Sequence, residues 1–218
     1  MKKNEQSSRI SYLHRHLTRE TRLMKSISSE LEKKNKAIQL APFEGQMLST
    51  LVALKNPKVS LEVGTLFGYS ACWILEAISK KAMLYTVEHN PENFEHAKSF
   101  LGKHEKSRQV NLIQSSGVSA LEDWPLDRKI DFLFLDADKG NYLNYLKLSM
   151  PHLSKGALVV ADNSFLFGYV LEDAPPINYS KNTWRSMREL NKILSGETGE
   201  FRGMAIPTVQ GMTVGVKL

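Results

Sequence analysis

Cysteine is nearly absent: Cys72 stands alone in 218 residues, so no disulfide can form within the chain, which fits a reducing compartment. Its place early in an expected helix suits a small buried apolar role better than a nucleophile. No apolar run is long enough to span a bilayer, and Met1-Lys-Lys-Asn-Glu-Gln-Ser-Ser lacks the apolar segment of a signal peptide. A cytoplasmic location away from membranes is therefore expected. The chain has no clustered Cys or His to hold zinc, no internal repeat and no low-complexity tract. Its turn glycines match neither Gly-x-Gly-x-x-Gly nor the phosphate loop ending in Gly-Lys-Ser/Thr, which disfavours a pyrophosphate ligand.

What is present is ordinary for a globular protein, with 42% hydrophobic and 24% charged residues and a length that suits one domain over 1–218. The charge is unevenly spread. Residues 1–36 hold ten Lys or Arg against four Glu, and so carry the whole net charge of +6. Within them Ile10, Leu13, Leu17, Met24, Ile27 and Leu31 recur at helical spacing, predicting an amphipathic helical extension with Arg15, Arg19 and Arg22 on another face. That cationic face is either solvated or turned toward a polyanion such as RNA, and the apolar stripe packs on the domain or on a second subunit.

Beyond a linker at Gln39-Leu-Ala-Pro42 and a helix from Phe43 to about Leu54, strands and helices alternate. Strands are predicted at Val59–Val63, Met83–Glu88, Val110–Ile113, Ile130–Leu135 and Ala157–Ala161. Helices are predicted at Ser70–Ser79, Pro91–Lys103, Val118–Asp123 and Tyr142–Met150. Short apolar strands separated by helices define an α/β fold, a largely parallel sheet with helices on both faces. After Ala161 come a loop with Pro175-Pro176, a helix near Thr183–Leu194, and strands Arg202–Thr208 and Met212–Lys217, which read as a closing hairpin.

Chemistry concentrates where the strands end. Glu62-Val-Gly64-Thr-Leu-Phe-Gly68-Tyr69-Ser70 joins a strand to a helix through a glycine-bearing turn, where ligands of open α/β sheets bind. Glu62 would repel a phosphate and attract a cation, an amino group or a pair of hydroxyls. Glu88 lies 20 residues beyond Gly68, the offset at which a carboxylate accepts both ribose hydroxyls. A nucleoside without a phosphate cradle points to S-adenosylmethionine. Asp136, Asp162 and Asn163 supply oxygen donors at neighbouring strand ends, suited to Mg²⁺, Ca²⁺ or Mn²⁺. These acidic strand ends together read as a negative cleft. Lys139, three residues past Asp136, is placed to take a proton from a hydroxyl beside such a metal.

Together these residues resemble the cation-dependent O-methyltransferases that include the catechol and caffeoyl-CoA O-methyltransferases. The resemblance runs from about Ile38 to Leu218, through Pro42-x-x-Gly45-Gln46, Leu61-Glu-Val-Gly-Thr-Leu-Phe-Gly-Tyr-Ser70, Val87-Glu88, Leu135-Asp-Ala-Asp-Lys139 with Asn141-Tyr142, and Asp162-Asn163 with Gly168. It implies a Rossmann-like seven-stranded sheet whose last strand is antiparallel. It implies S-adenosylmethionine contacts from Leu40, Glu62, Gly64, Thr65, Ser70, Glu88, Ser116, Gly117 and Asp136, metal ligation by Asp136, Asp162 and Asn163, and catalysis by Lys139 with Asp136. It also implies methyl transfer to a catechol-like or phenolic hydroxyl, and a homodimer. Two other readings stand beside it: methylation of a hydroxylated uridine in tRNA, and a module that binds the cofactor without transferring methyl. Ser164-Phe165-Leu166-Phe167, Gln210-Gly211 and the loop Leu171–Lys181 depart from the family pattern and leave the acceptor open.

Overall fold

A computed structural model describes residues 9–175, 177 and 179–218. Residues 1–8, which include Lys2 and Lys3 of the basic segment, and Pro176 of the proline pair lie outside the described residues.

Seven strands form one sheet: β1 (Val59–Val63), β2 (Met83–Glu88), β3 (Val110–Gln114), β4 (Ile130–Leu135), β5 (Leu153–Asp162), β6 (Phe201–Ile206) and β7 (Met212–Lys217). Their order is β3-β2-β1-β4-β5-β7-β6. The first five run parallel, and β7 is antiparallel to both β5 and β6, so six strands point one way and the last the other. This is the α/β sheet expected, closing hairpin included.

The central strands are apolar on both faces because helices cover both. Along β4, Phe132 and Phe134 enter a core with Leu48, Ile74 and Val160, while Leu133 and Leu135 enter another with Leu61, Leu146 and Leu190. On the first face lie α2 (Arg22–Lys33), α3 (Pro42–Lys55), α4 (Tyr69–Ala77) and α5 (Pro91–Leu101). On the second lie α6 (Gly117–Glu122), α7 (Tyr142–Ser149) and α8 (Lys181–Leu194). Strand β5 begins four residues before the expected Ala157, because a register shift against Ile130 and Phe132 absorbs residues 154–157 around Gly156.

The N-terminal segment departs from the continuous helix predicted for it. Residues 9–17 form one helix, α1, wound as a π-helix over Leu13–Leu17, and α2 starts only at Arg22. Thr18 and Thr21 are extended between them, and the Thr21 hydroxyl caps α2 by accepting from the Met24 N–H at 3.2 Å. Gln46 on α3 pins the break, accepting from the Arg19 N–H and donating to the Leu17 carbonyl, both at 3.0 Å. The apolar stripe is divided as a result: Met24, Ile27 and Leu31 are fully buried, whereas Leu17 is half exposed.

Candidate active site

In the sheet order β1 lies between β2 and β4, so the chain reverses direction of progression at β1, and a crevice opens above the carboxyl ends of these strands. A cavity of about 730 Å³ occupies that position. Every cofactor, metal or catalytic residue expected from the sequence except Glu62 lines it: Leu40, Gly64, Thr65, Ser70, Glu88, Ser116, Gly117, Asp136, Lys139, Asp162 and Asn163.

The glycine turn sets the floor. Gly64 has φ of +105°, and a Cβ on it would lie 2.0 Å from the Asp136 carbonyl oxygen. Only glycine lets the end of β1 meet the end of β4 this closely, where the Asp136 N–H donates to the Val63 carbonyl at 2.9 Å. At the end of β2 the buried Glu88 carboxylate is held on both sides, by the Leu66 N–H and the Asn90 N–H, each at 2.8 Å. Each oxygen keeps a further lone pair, the equipment needed to receive two vicinal hydroxyls.

Glu62 takes a different place. It is fully buried and outside the cavity lining, with its Oε2 accepting from the Thr86 hydroxyl, which also meets the Thr65 hydroxyl. Its Oε1 has no hydrogen-bond partner. Burial pushes its pKa up to about 8, the nearby Ser70 and Thr86 hydroxyls act in the opposite sense, and Asp136 and Glu88 add to the rise. Burial also drives the Asp162 carboxyl well above its ordinary range, with Asp136 reinforcing and Lys139 opposing. The uniformly negative cleft expected from four acidic strand ends is therefore corrected: desolvation keeps Glu62 protonated at neutral pH and penalises the charge on Asp162.

The other end of the cavity gathers Asp136, Asp162, Asn163 and Lys139. Lys139 Nζ donates to Asp136 Oδ1 at 3.0 Å and to the Tyr142 hydroxyl, which donates onward to the Leu135 carbonyl at 2.9 Å. Tyr142 is fully buried, and burial raises its pKa well above the usual value. Sequence reasoning did not assign it a role; its one signal was its place three residues after Lys139, which puts the two side chains together on the turn into α7. Asn163 has φ of +50° and accepts from the Phe167 N–H at 3.3 Å. Ile38, Tyr145, Phe167, Tyr179 and Gln210 also line the cavity and were not singled out as contacts; Ile38 and Phe167 are largely exposed.

Two carboxylates and an amide suit a hard cation, since all offer oxygen. Asp162 Oδ1 is buried without a hydrogen-bond partner, an acceptor whose desolvation a positive charge would compensate. Among the described residues, no three His, Cys, Asp or Glu side chains cluster as a metal site, and the Asn163 amide is the further oxygen donor beside the two carboxylates.

A doubly wound sheet, a glycine turn without a phosphate cradle, and a fixed carboxylate at the end of β2 form a site suited to a nucleoside ligand that carries no phosphate at the turn. A family model described as O-methyltransferase matches residues 14–218. The chain belongs to this O-methyltransferase family. Relatives include a flavonoid 3',5'-methyltransferase of Vitis vinifera, 30% identical over 71% of this chain and 68% of that protein. A catechol O-methyltransferase of Niastella koreensis is 28% identical over 86% and 90%, and caffeoyl-CoA O-methyltransferase 2 of Petunia hybrida is 32% identical over 78% and 73%. Among solved structures, the O-methyltransferase TomG of Streptomyces achromogenes in complex with SAM superposes with a TM-score of 0.87 over 100% of this chain and 99% of that one, at 23% identity. An O-methyltransferase from Bacillus cereus in complex with SAH gives the same TM-score at 21% identity, over 99% of each chain.

Proposed function

We propose that this enzyme transfers the methyl group of S-adenosylmethionine to a hydroxyl of a catechol-like or phenolic small molecule, with a divalent cation held by Asp136, Asp162 and Asn163. The observation that carries the reading is the meeting of Glu88 and Gly64 with Asp136, Lys139, Asp162 and Asn163 in one cavity. The cofactor would supply a methyl carbon made electrophilic by a sulfonium, and the cation would lower the pKa of a bound hydroxyl and orient it.

The chain's own residues do the rest. Glu88, locked by two N–H donors, receives the ribose hydroxyls. Leu40 closes the wall near the turn, and Ile38, Phe167 and Tyr179 offer apolar flanks to a planar ring entering from the mouth. Lys139 accepts the proton of the attacking hydroxyl at Nζ. Asp136 and Tyr142 fix that nitrogen from two sides, so it does not have to be ordered at the moment of reaction. Proton acceptance requires a neutral Nζ, which a cation held by Asp136 would favour by opposing a positive charge on the neighbouring amine.

The test is methyl transfer from labelled S-adenosylmethionine to catechols, caffeoyl esters and hydroxyuridine-containing tRNA, with Mg²⁺ or with excess EDTA. Transfer to the catechol panel with Mg²⁺, abolished by EDTA, is expected. Full activity in EDTA sinks the cation role, transfer to tRNA alone sinks the small-molecule acceptor, and cofactor binding without transfer to any acceptor sinks the enzymatic reading.

A further inference from the structure

Glu44 is a buried carboxylate that none of the chemistry above uses, only 2% exposed near the start of α3. Its Oε2 accepts from the Ala41 N–H at 3.1 Å, and its Oε1 accepts from the Val209 N–H at 3.2 Å, 165 positions away in the chain. The first contact is ordinary helix chemistry, a glutamate in the first turn reaching back to the residue that begins the helix. Ala41 has no side-chain oxygen to reciprocate, and capping gives no reason for the second contact.

The two N–H groups belong to two separate segments, each adjoining residues that line the cavity. Ala41 ends the strap whose residues 37–40 line the cavity beside the glycine turn. Val209 is the middle residue of the β6–β7 connection, which contributes Gln210 to the lining. That turn is in turn fastened to the loop after Asn163: the Ser164 N–H donates to the Gly211 carbonyl at 2.9 Å and the Phe165 N–H to the Gln210 carbonyl at 3.1 Å. Gly211, with φ of +79°, lies against the Phe165 ring, where a Cβ would come within 2.2 Å of a ring carbon. One carboxylate therefore links the strap, through the hairpin turn, to the segment that begins with Asn163 and carries Phe167.

We propose that Glu44 is a positioning residue that holds the cofactor wall and the acceptor wall of the cavity in a single register. It touches neither reactant and acts through Ala41 and Val209. The assignment of the two walls to cofactor and acceptor rests on the function proposed above. Ligand binding at the strap then stiffens the hairpin turn, because both hang on the same two oxygens.

Glu44→Gln separates the contacts with almost no change of shape, since the amide has one acceptor oxygen: the local Ala41 N–H, three residues away, keeps it, and the donor nitrogen is left facing the Val209 N–H. Amide hydrogen exchange is followed in wild type, Glu44→Gln and Glu44→Asp, with and without S-adenosylhomocysteine. In the wild type the ligand should slow exchange over residues 62–70, 37–41 and 208–211. In Glu44→Gln, exchange over 208–211 should rise roughly tenfold without ligand, the effect of losing about one hydrogen bond, and ligand protection there should vanish while that over 62–70 persists. Glu44→Asp, which keeps two acceptors, should restore part of both, and the acceptor KM should rise in Glu44→Gln more than kcat falls. Unchanged exchange and ligand protection over 208–211 in Glu44→Gln overturn the proposal, as does faster exchange spread evenly over the whole protein. Absence of ligand protection in the wild type would instead overturn the cofactor reading, and the ligand-free comparison at 208–211 would still decide the role of Glu44.

Discussion

Replacing Glu62 by glutamine should alter how stability depends on pH more than any other single change near the cavity. Glu62 is fully buried, and its pKa rises from 4.5 to about 8 on folding. Between those values the folded protein holds a proton that the unfolded chain releases, so folding is favoured at low pH. The contribution is complete below pH 4.5 and is lost as pH climbs through about 8. At about 1.4 kcal/mol per pH unit, the wild type loses on the order of 5 kcal/mol from this group over that window. The glutamine side chain has no such proton to lose. Its oxygen can keep the donation from Thr86, and its amide nitrogen can face the Ser70 hydroxyl beside the unpartnered Oε1 position. Urea unfolding of both proteins at intervals from pH 4.5 to 9 measures the difference. The two should have similar stability near pH 4.5, and the variant should lead progressively as pH rises from there to about 8, beyond which the difference levels off. Asp162 contributes with the same sign in both proteins, so subtracting the two profiles isolates Glu62. Parallel profiles across the window would refute the claim that burial of this carboxyl, rather than its hydroxyl partners, controls its ionisation.

Excess EDTA should abolish methyl transfer while the calorimetric affinity for S-adenosylhomocysteine changes by less than about threefold, because the proposed site would hold an adenosine ligand chiefly from the strap, the glycine turn and Glu88. Lys139→Met should lower kcat by roughly 10² to 10⁴ with little change in cofactor affinity; near-normal kcat would remove the base assignment. Gly64→Ala should cost more than about 2 kcal/mol in chemical denaturation, since it combines a left-handed backbone with a Cβ forced against the Asp136 carbonyl. Gln46→Ala should leave catalysis intact yet speed amide exchange across residues 9–20, the segment that this side chain pins at Leu17 and Arg19.

The order of elements and most of the site were legible in the chain because both depend on local pattern. Short apolar runs between amphipathic stretches specify a covered parallel sheet, and the residues at strand ends meet because parallel strands all deliver their carboxyl ends to one side. Asp136, Lys139, Asp162 and Asn163 could be grouped for that reason alone. The N-terminal helix was misjudged because its periodicity continues through Thr18–Thr21, while the break is enforced by Gln46 from another helix. Tyr142 and Glu44 carried no clear local signal of their roles, since the importance of each lies in its partners: Lys139 and the Leu135 carbonyl for one, Ala41 and Val209 for the other.

Read alone, the amino-acid sequence determined the α/β class and the delivery of acidic and amide side chains to one end of the sheet, since residue type and spacing suffice for these. Only the tertiary structure decided that Glu62 and Asp162 are disfavoured as charges. Ionisation is governed by burial and neighbouring fields, and these arise when the strand ends and helices close over Glu62 and Asp162.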